Sequence, residues 1–326
     1  MKIITHEHIF EQIAVPSCHA STILKLKDGT LLAAWFAGQR EGATDVTIWF
    51  SRKVNGAWVA PEVAVPNIGI QCWNPVLFQR DEDTVWLFYK RGGCCSVWRT
   101  MLTVSKDSGK TWSEPTELTE DRSSIGRGPV KNKVLVTRSG NILAPASIEQ
   151  GPWRCFIDHF DGEKWSMKAI PAPTEPENVA QADGEDNRKG IGMIQPTLWE
   201  HPKGHIHALM RTNRGLIYRS DSDDDGLTWS VARPTDMANN NSGIDCVRAD
   251  DGNVYLLCNP VSKDWGERSP LTMFVSRDNG DSFEKLLDLE TEKGEFSYPA
   301  VIAEGNRLYI TYTWRRKRIA FAEIEV

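Results

Sequence analysis

The stretch SKDSGKTW at Ser105–Trp112 returns almost unchanged as SDDDGLTW at Ser222–Trp229, and more eroded as SRDNGDSF at Ser276–Phe283. In S-x-D-x-G-x-T-W the serine and aspartate side chains hydrogen-bond backbone amides of their own turn. The glycine supplies a positive φ, and the aromatic packs against a neighbouring sheet. The string therefore builds a hairpin, and Asp107, Asp224 and Asp278 belong to that turn rather than to chemistry. Alignment on the closing aromatic adds SRKVNGAW, ending at Trp58, and DHFDGEKW, ending at Trp165. The series Trp58, Trp112, Trp165, Trp229 and Phe283 has gaps of 54, 53, 64 and 54 residues. A period of about 50 marks a repeated supersecondary unit.

Each copy has the same grammar upstream: a short apolar strand, a tight turn often written Asp-Gly, a second strand, a variable loop and a third strand. The first opens with HASTILKLKDGTLLAAWF, the second with NPVLFQRDEDTVWLFYK, the third with NKVLVTRSGNILAPAS. The fourth opens with QPTLWEHPKGHIHALMR and the fifth with IDCVRADDGNVYLLCNP. YPAVIAEGNRLYITYTW and RIAFAEIEV supply a sixth copy without the marker. Four short strands repeated six times specify an all-β fold, a six-bladed β-propeller. The N-terminal KIITHEHIFE is expected to add the last strand of the sixth blade, making residues 1–326 one domain.

Composition excludes several partners. Of 326 residues, 25% are charged and 40% apolar, with a net charge of −6, so no general basic face offers itself to nucleic acid or to an anionic membrane. No apolar run has the length of a signal peptide or a membrane span, and the chain reads as cytoplasmic. The seven cysteines lack metal or redox spacing, and Cys155, Cys246 and Cys258 read as small core residues. The histidines of HPKGHIH (His201, His205, His207) flank a hairpin turn away from the channel mouth, so neither a metal nor another cofactor is expected.

In a propeller, the starts of the inner strands and the loops after the second strands meet at one mouth of the central channel. Here those positions hold His19, Arg40, Glu41, Asp45, Trp73, Asn74, Lys131, Glu149, Gln195, Arg211, Asp245, Arg268, Tyr298 and Arg315 with Arg316. Strand alternation requires one of Arg315 and Arg316 to point outward. A concave cluster of cations in an acidic protein suits a carboxylate or sulfate.

The string S-x-D-x-G-x-T-W at this spacing resembles the Asp-box of the sialidase (neuraminidase) superfamily over nearly the whole chain. The resemblance implies three arginines on a substrate carboxylate, an aspartate acid/base, and a tyrosine nucleophile assisted by a glutamate. Arg211 and Arg268 match two of the arginines, and Asp45 matches the acid/base, with Glu41 as its rival. Aligning Tyr298-Pro299 with Gln195-Pro196 and Asn74-Pro75 selects Tyr298 as nucleophile. His19 stands in the place of the first arginine, and Gln195 in that of the assisting glutamate.

A glutamine cannot take a phenol proton. The resemblance therefore implies a sialidase-like, exo-acting hydrolase of a small acidic oligosaccharide or glycoside whose activation differs from that of strict sialidases. Two alternatives stay open beside it. One is a uronate lyase, since His19, Tyr298 and arginine resemble propeller-type polysaccharide lyases. The other is a non-catalytic carbohydrate-binding propeller. Within hydrolysis, Asp45 or Glu41 could also pair with Glu149 as two carboxylates.

Overall fold

The computed structural model describes residues 1–119, 126–174 and 190–326, and every regular element among them is a β-strand. Six sheets form the blades. Blade 1 is built from Ser17–Lys25, Leu31–Gly38, Thr47–Val54 and Ala57–Trp58, with Glu62–Val63 also on its third strand. Blade 2 holds Cys72–Gln79, Val85–Arg91, Arg99–Ser105 and Thr116–Glu117; blade 3 holds Leu135–Val136, Ile142–Ile148, Arg154–Phe160 and Trp165–Ala169. Blade 4 holds Met193–Glu200, Ile206–Thr212, Leu216–Ser222 and Arg233–Ala238, and blade 5 holds Asp245–Arg248, Val254–Cys258, Leu271–Ser276 and Glu284–Glu290. Blade 6 combines Phe296–Glu304, Arg307–Trp314 and Arg318–Glu325 with the N-terminal strand Lys2–His8, which pairs antiparallel with Arg318–Glu325. The ring thus closes with a strand from the other end of the chain, as the unmarked sixth repeat implies.

The apolar core follows the blades. Six clusters of buried side chains each fill one junction between adjacent sheets, for example Leu87 and Tyr89 with Phe36 and Ile48 between blades 1 and 2. The marker turns help make these junctions. Ser222 Oγ donates to Asp224 Oδ1 (2.8 Å) and accepts from Gly226 N (2.9 Å), while Asp224 accepts from Thr228 N (2.8 Å) and Oγ1 (2.6 Å). The same bonds recur at Ser105, Asp107, Gly109 and Thr111, and at Ser276, Asp278, Gly280 and Ser282. The marker aromatics reach the preceding blade: Trp58 meets Phe321, Trp112 meets Phe50 and Trp165 meets Phe88, with centroids 5.2, 6.0 and 6.4 Å apart. At Gly226, with φ +86°, an added Cβ would lie 2.8 Å from Leu143 Cδ1 of blade 3, so both backbone and packing demand glycine.

At the opposite end of the strands, one residue per blade takes the left-handed conformation: Ala20, Asn74, Lys131, Gln195, Asn241 and Tyr298, with φ between 38° and 66°. In blades 1, 2, 4 and 6 this residue lies where the register of the two inner strands slips. Such bulges re-aim side chains, and a non-glycine residue in this region costs about 1–3 kcal/mol. The fold therefore carries a strained collar around one mouth of the channel.

Candidate functional site

Within that collar lies a cavity of about 370 Å³, lined by Glu41, Trp73, Asn74, Glu149, Gln195, Arg211, Arg268 and Tyr298 among the residues expected at the mouth. Tyr298 is its centre. The left-handed turn at Tyr298 lifts its ring between two guanidinium groups, with Arg211 Cζ 5.7 Å and Arg268 Cζ 5.5 Å from the ring centroid. Arg211 Nη1 donates to the phenol oxygen at 2.8 Å and to Gln195 Oε1 at 3.1 Å, and its Nε donates to Asn241 Oδ1 at 3.0 Å. None of these three acceptors is a carboxylate. Arg211 is only 2% exposed, so among the described residues it holds a buried positive charge without a hydrogen-bonded carboxylate.

The other arginines lining the cavity, Arg268 and Arg316, are paired. Arg268 Nη1 donates to Glu295 Oε1 at 2.6 Å, and Arg316 Nε donates to both Glu295 oxygens at 2.9 Å, while Arg316 Nη1 meets Glu41. Burial pulls the Glu295 carboxyl upward, yet Arg268 and Arg316 outweigh it and hold the group below its usual range. Glu149 shows the opposite balance. It is buried, and desolvation raises it against the nearby charge of Arg211, the hydroxyl of Ser147 (3.2 Å), Lys90 and Gln195. One wall therefore carries carboxyls engaged by arginines, and another a carboxyl whose acidity burial weakens.

Tryptophans close the sides. Trp73 donates its Nε1 to Gly92 O at 2.9 Å and meets Trp98 edge-on at 6.0 Å; Trp153 meets Trp265 edge-on at 6.4 Å. Trp265 is 56% exposed and itself left-handed, with φ 53°. Indole faces of this kind suit the apolar faces of a sugar ring.

Several residues expected at the mouth do not reach the cavity. Asp45 accepts the backbone N–H of Gln39 at 2.8 Å and ties down its own loop, which leaves Glu41 as the carboxylate of that loop facing inward. Arg40 is exposed outside the lining. The left-handed residue of blade 1 is Ala20, so His19 turns beneath Tyr298, with ring centroids 4.2 Å apart, and is 1% exposed. Its Nδ1 bonds Thr313 Oγ1 at 2.8 Å. Burial, reinforced by Arg316, Arg268, Arg211 and Lys131, pushes the imidazole well below its ordinary value.

Lys131 is buried under the floor, donating to Asn132 Oδ1 (2.8 Å), Ile244 O (2.6 Å) and Pro299 O; desolvation lowers it to about 7. Asp245 is consumed by Lys133 Nζ (2.8 Å), Thr197 Oγ1 (2.6 Å) and Val301 N (2.9 Å), bonds that join blades 4, 5 and 6. Arg315 points outward, pairing with Glu292 at 2.6 Å and lying over the Trp314 ring at 5.0 Å, while Arg316 enters the cavity. One of the two arginines does point outward, but both lie in the turn between Arg307–Trp314 and Arg318–Glu325, where strand alternation does not apply, and the inward member is Arg316.

Glu295, Trp98, Trp153, Trp265, Cys94 and Cys95 complete the site without having been singled out. Trp98 and Trp153 had a signal. Both immediately precede the third strand of their blades, in VWRTMLTVS and PWRCFIDHF.

A family model described as a BNR repeat-like domain matches residues 29–310. A search of curated proteins finds no match. Among solved structures, a protein of unknown function from Dyadobacter fermentans superposes with a TM-score of 0.77 at 15% identity, covering 100% of this chain and 99% of the other. A Hadza microbial sialidase gives 0.73 at 19% identity, over 95% of this chain and 66% of the sialidase. Trypanosoma rangeli sialidase, in complex with the inhibitor DANA, gives 0.73 at 15%, over 98% and 59%. At such identities the likeness establishes the fold, and the activity has to come from the cavity.

Proposed function

The chain belongs to the BNR repeat-like domain family, and from that premise we propose that it is a sialidase-like glycoside hydrolase, exo-acting on a small sugar that carries a carboxylate. One observation carries this reading: Arg211, buried and hydrogen-bonded to no carboxylate among the described residues, faces a cavity that Arg268 and Arg316 also line. A buried guanidinium stays charged, and leaving it without an anion is costly. A substrate carboxylate would supply that anion and align the sugar. A volume of about 370 Å³ accommodates one ring, with its faces against Trp73 and Trp153. Tyr298 then presents its phenol oxygen to the anomeric centre, where the oxygen's lone pair meets the positive charge developing on the sugar, and Arg211 Nη1, at 2.8 Å, fixes the phenol in place.

The eliminating alternative rests on His19 as base, and His19 is sealed beneath Tyr298. Hydrolysis is therefore preferred. The decisive experiment is a screen of aryl glycosides of sialic and hexuronic acids, alongside a neutral sugar set, with reducing sugar and ultraviolet-absorbing unsaturated product followed together. Release of reducing sugar from a carboxylated glycoside alone is the expected result. Unsaturated product would return the lyase reading, and binding without turnover the lectin-like one that Gln195 invites.

A further inference from the structure

The carboxylate expected at position 195 is replaced by an amide, and a buried carboxyl appears on the neighbouring blade at Glu149. The two facts are connected. Gln195 Oε1 accepts from Arg211 Nη1 at 3.1 Å, which fixes the amide so that its NH₂ is left for another acceptor, and Gln195 lies close enough to Glu149 to favour its charged form. A glutamate at 195 would set a second carboxylate against Glu149 in a dry wall, and two such groups cannot both ionise at low cost. With an amide at 195, Glu149 is the carboxyl that this wall presents to the cavity.

We propose that Glu149 is the proton donor to the leaving-group oxygen, a role that deepens the hydrolytic reading above and rests on it. Glu149 lines the cavity from the end of Ile142–Ile148, beside Gln195, and Cys95 stands on the same wall. Glu41 and Glu295, by contrast, are engaged by Arg316 and Arg268. Separation of carboxyls into one protonated and one ionised group is the arrangement that acid-assisted glycoside cleavage uses.

In the step, the bond from the anomeric carbon to the glycosidic oxygen breaks and its electron pair stays on that oxygen. The Glu149 proton completes the hydroxyl of the departing group. The water that supplies the new carbon–oxygen bond returns its own proton to the Glu149 carboxylate. One water is consumed, and the enzyme ends as it began. The charged and titratable groups facing Glu149 are Arg211 from blade 4, Lys90 from blade 2, and the thiols of Cys95 and Cys155. Burial with these neighbours leaves the acid raised, so its deprotonation should form the basic limb of the pH profile.

The test uses the full chain and a series of aryl glycosides of the turned-over sugar, with phenols from strongly to weakly acidic. For Glu149→Gln, kcat/KM should fall only a few-fold with the most acidic phenol and by about 100-fold to 10,000-fold with the least acidic, the span of general acid catalysis. The basic limb should vanish with it, while the thermal midpoint and the affinity for the free sugar acid stay near the wild-type values. Uniform loss across all phenols overturns the assignment and leaves hydrolysis standing. So does a leaving-group-dependent loss found in Asp45→Asn instead. Absence of turnover by the wild-type chain on every glycoside removes the hydrolytic reading, and this one with it.

Discussion

The two ends of the propeller are made from the same repeat and use it in opposite ways. At the marker end, blades 2, 4 and 5 repeat both backbone and side chains, down to the same serine-to-aspartate and glycine-to-serine bonds. At the mouth, six blades repeat the backbone alone: the left-handed position is alanine, asparagine, lysine, glutamine, asparagine and tyrosine in turn. The marker turn is uniform in the three blades that carry it because its task, sealing a blade against the one before it, is the same each time. The mouth varies because a ligand that is not sixfold symmetric needs a different group from each side.

This division is open to direct attack. The largest effect should come from the mouth: Tyr298→Phe should lower kcat at least about 100-fold, with ligand affinity and thermal midpoint little changed. Turnover that survives while stability drops would make Tyr298 a core aromatic and dissolve the contrast. Next, Arg268→Ala should cost at least about tenfold in kcat/KM toward an acidic substrate, the scale of a charge-assisted bond, and nothing toward a neutral one. Steady-state kinetics on the matched pair decides it.

At the marker end the signs reverse. Gly226→Ala must place a Cβ 2.8 Å from Leu143 Cδ1 at a φ of +86°, and should lose roughly 2–3 kcal/mol in a urea melt while each folded molecule keeps its activity. The smallest effect is a slope. The Ser282 hydroxyl, followed by the Ser282 amide and Ser276, holds the Asp278 carboxyl down to about 2. Between its ordinary value and 2, the unfolded chain binds a proton that the folded chain refuses. The stabilisation is therefore present above the ordinary carboxylate range and fades as pH falls through about 2. Asp278→Asn should flatten the acid side of a plot of urea midpoint against pH and leave its neutral plateau only slightly lowered.

How much of this was legible in the residues depends on what specified it. The blade count and the ring closure were readable because strand alternation and Asp-Gly turns are backbone chemistry written locally. The collar was half readable: three of its left-handed positions, Asn74, Gln195 and Tyr298, precede proline and align by that fact. Side-chain direction was harder. Arg315 and Arg316 both sit at positive φ in one tight hairpin, with φ 52° and 54°, so letters alone could not say which one enters. Asp45 and Glu41 share a loop without periodicity, and only the Gln39 amide decides between them. Trp98 and Trp153 are not told apart by letters alone, since an aromatic at a strand boundary is as often packing as platform.

The strand Lys2–His8 has a consequence in time as well as in space. It is mostly exposed and adds little to the apolar junctions, but it pairs with Arg318–Glu325, and His6 bonds the hydroxyl of Tyr312 across 306 positions. Bringing such distant segments together costs about 5 kcal/mol in chain entropy, lost before any contact repays it. The earliest in sequence of the described strands is thus the last to find its seat. Until it does, Arg318–Glu325 presents a bare row of amides and carbonyls that a second molecule could pair with as readily as its own beginning. Refolding yield should accordingly fall with protein concentration in a way that the finished ring does not betray.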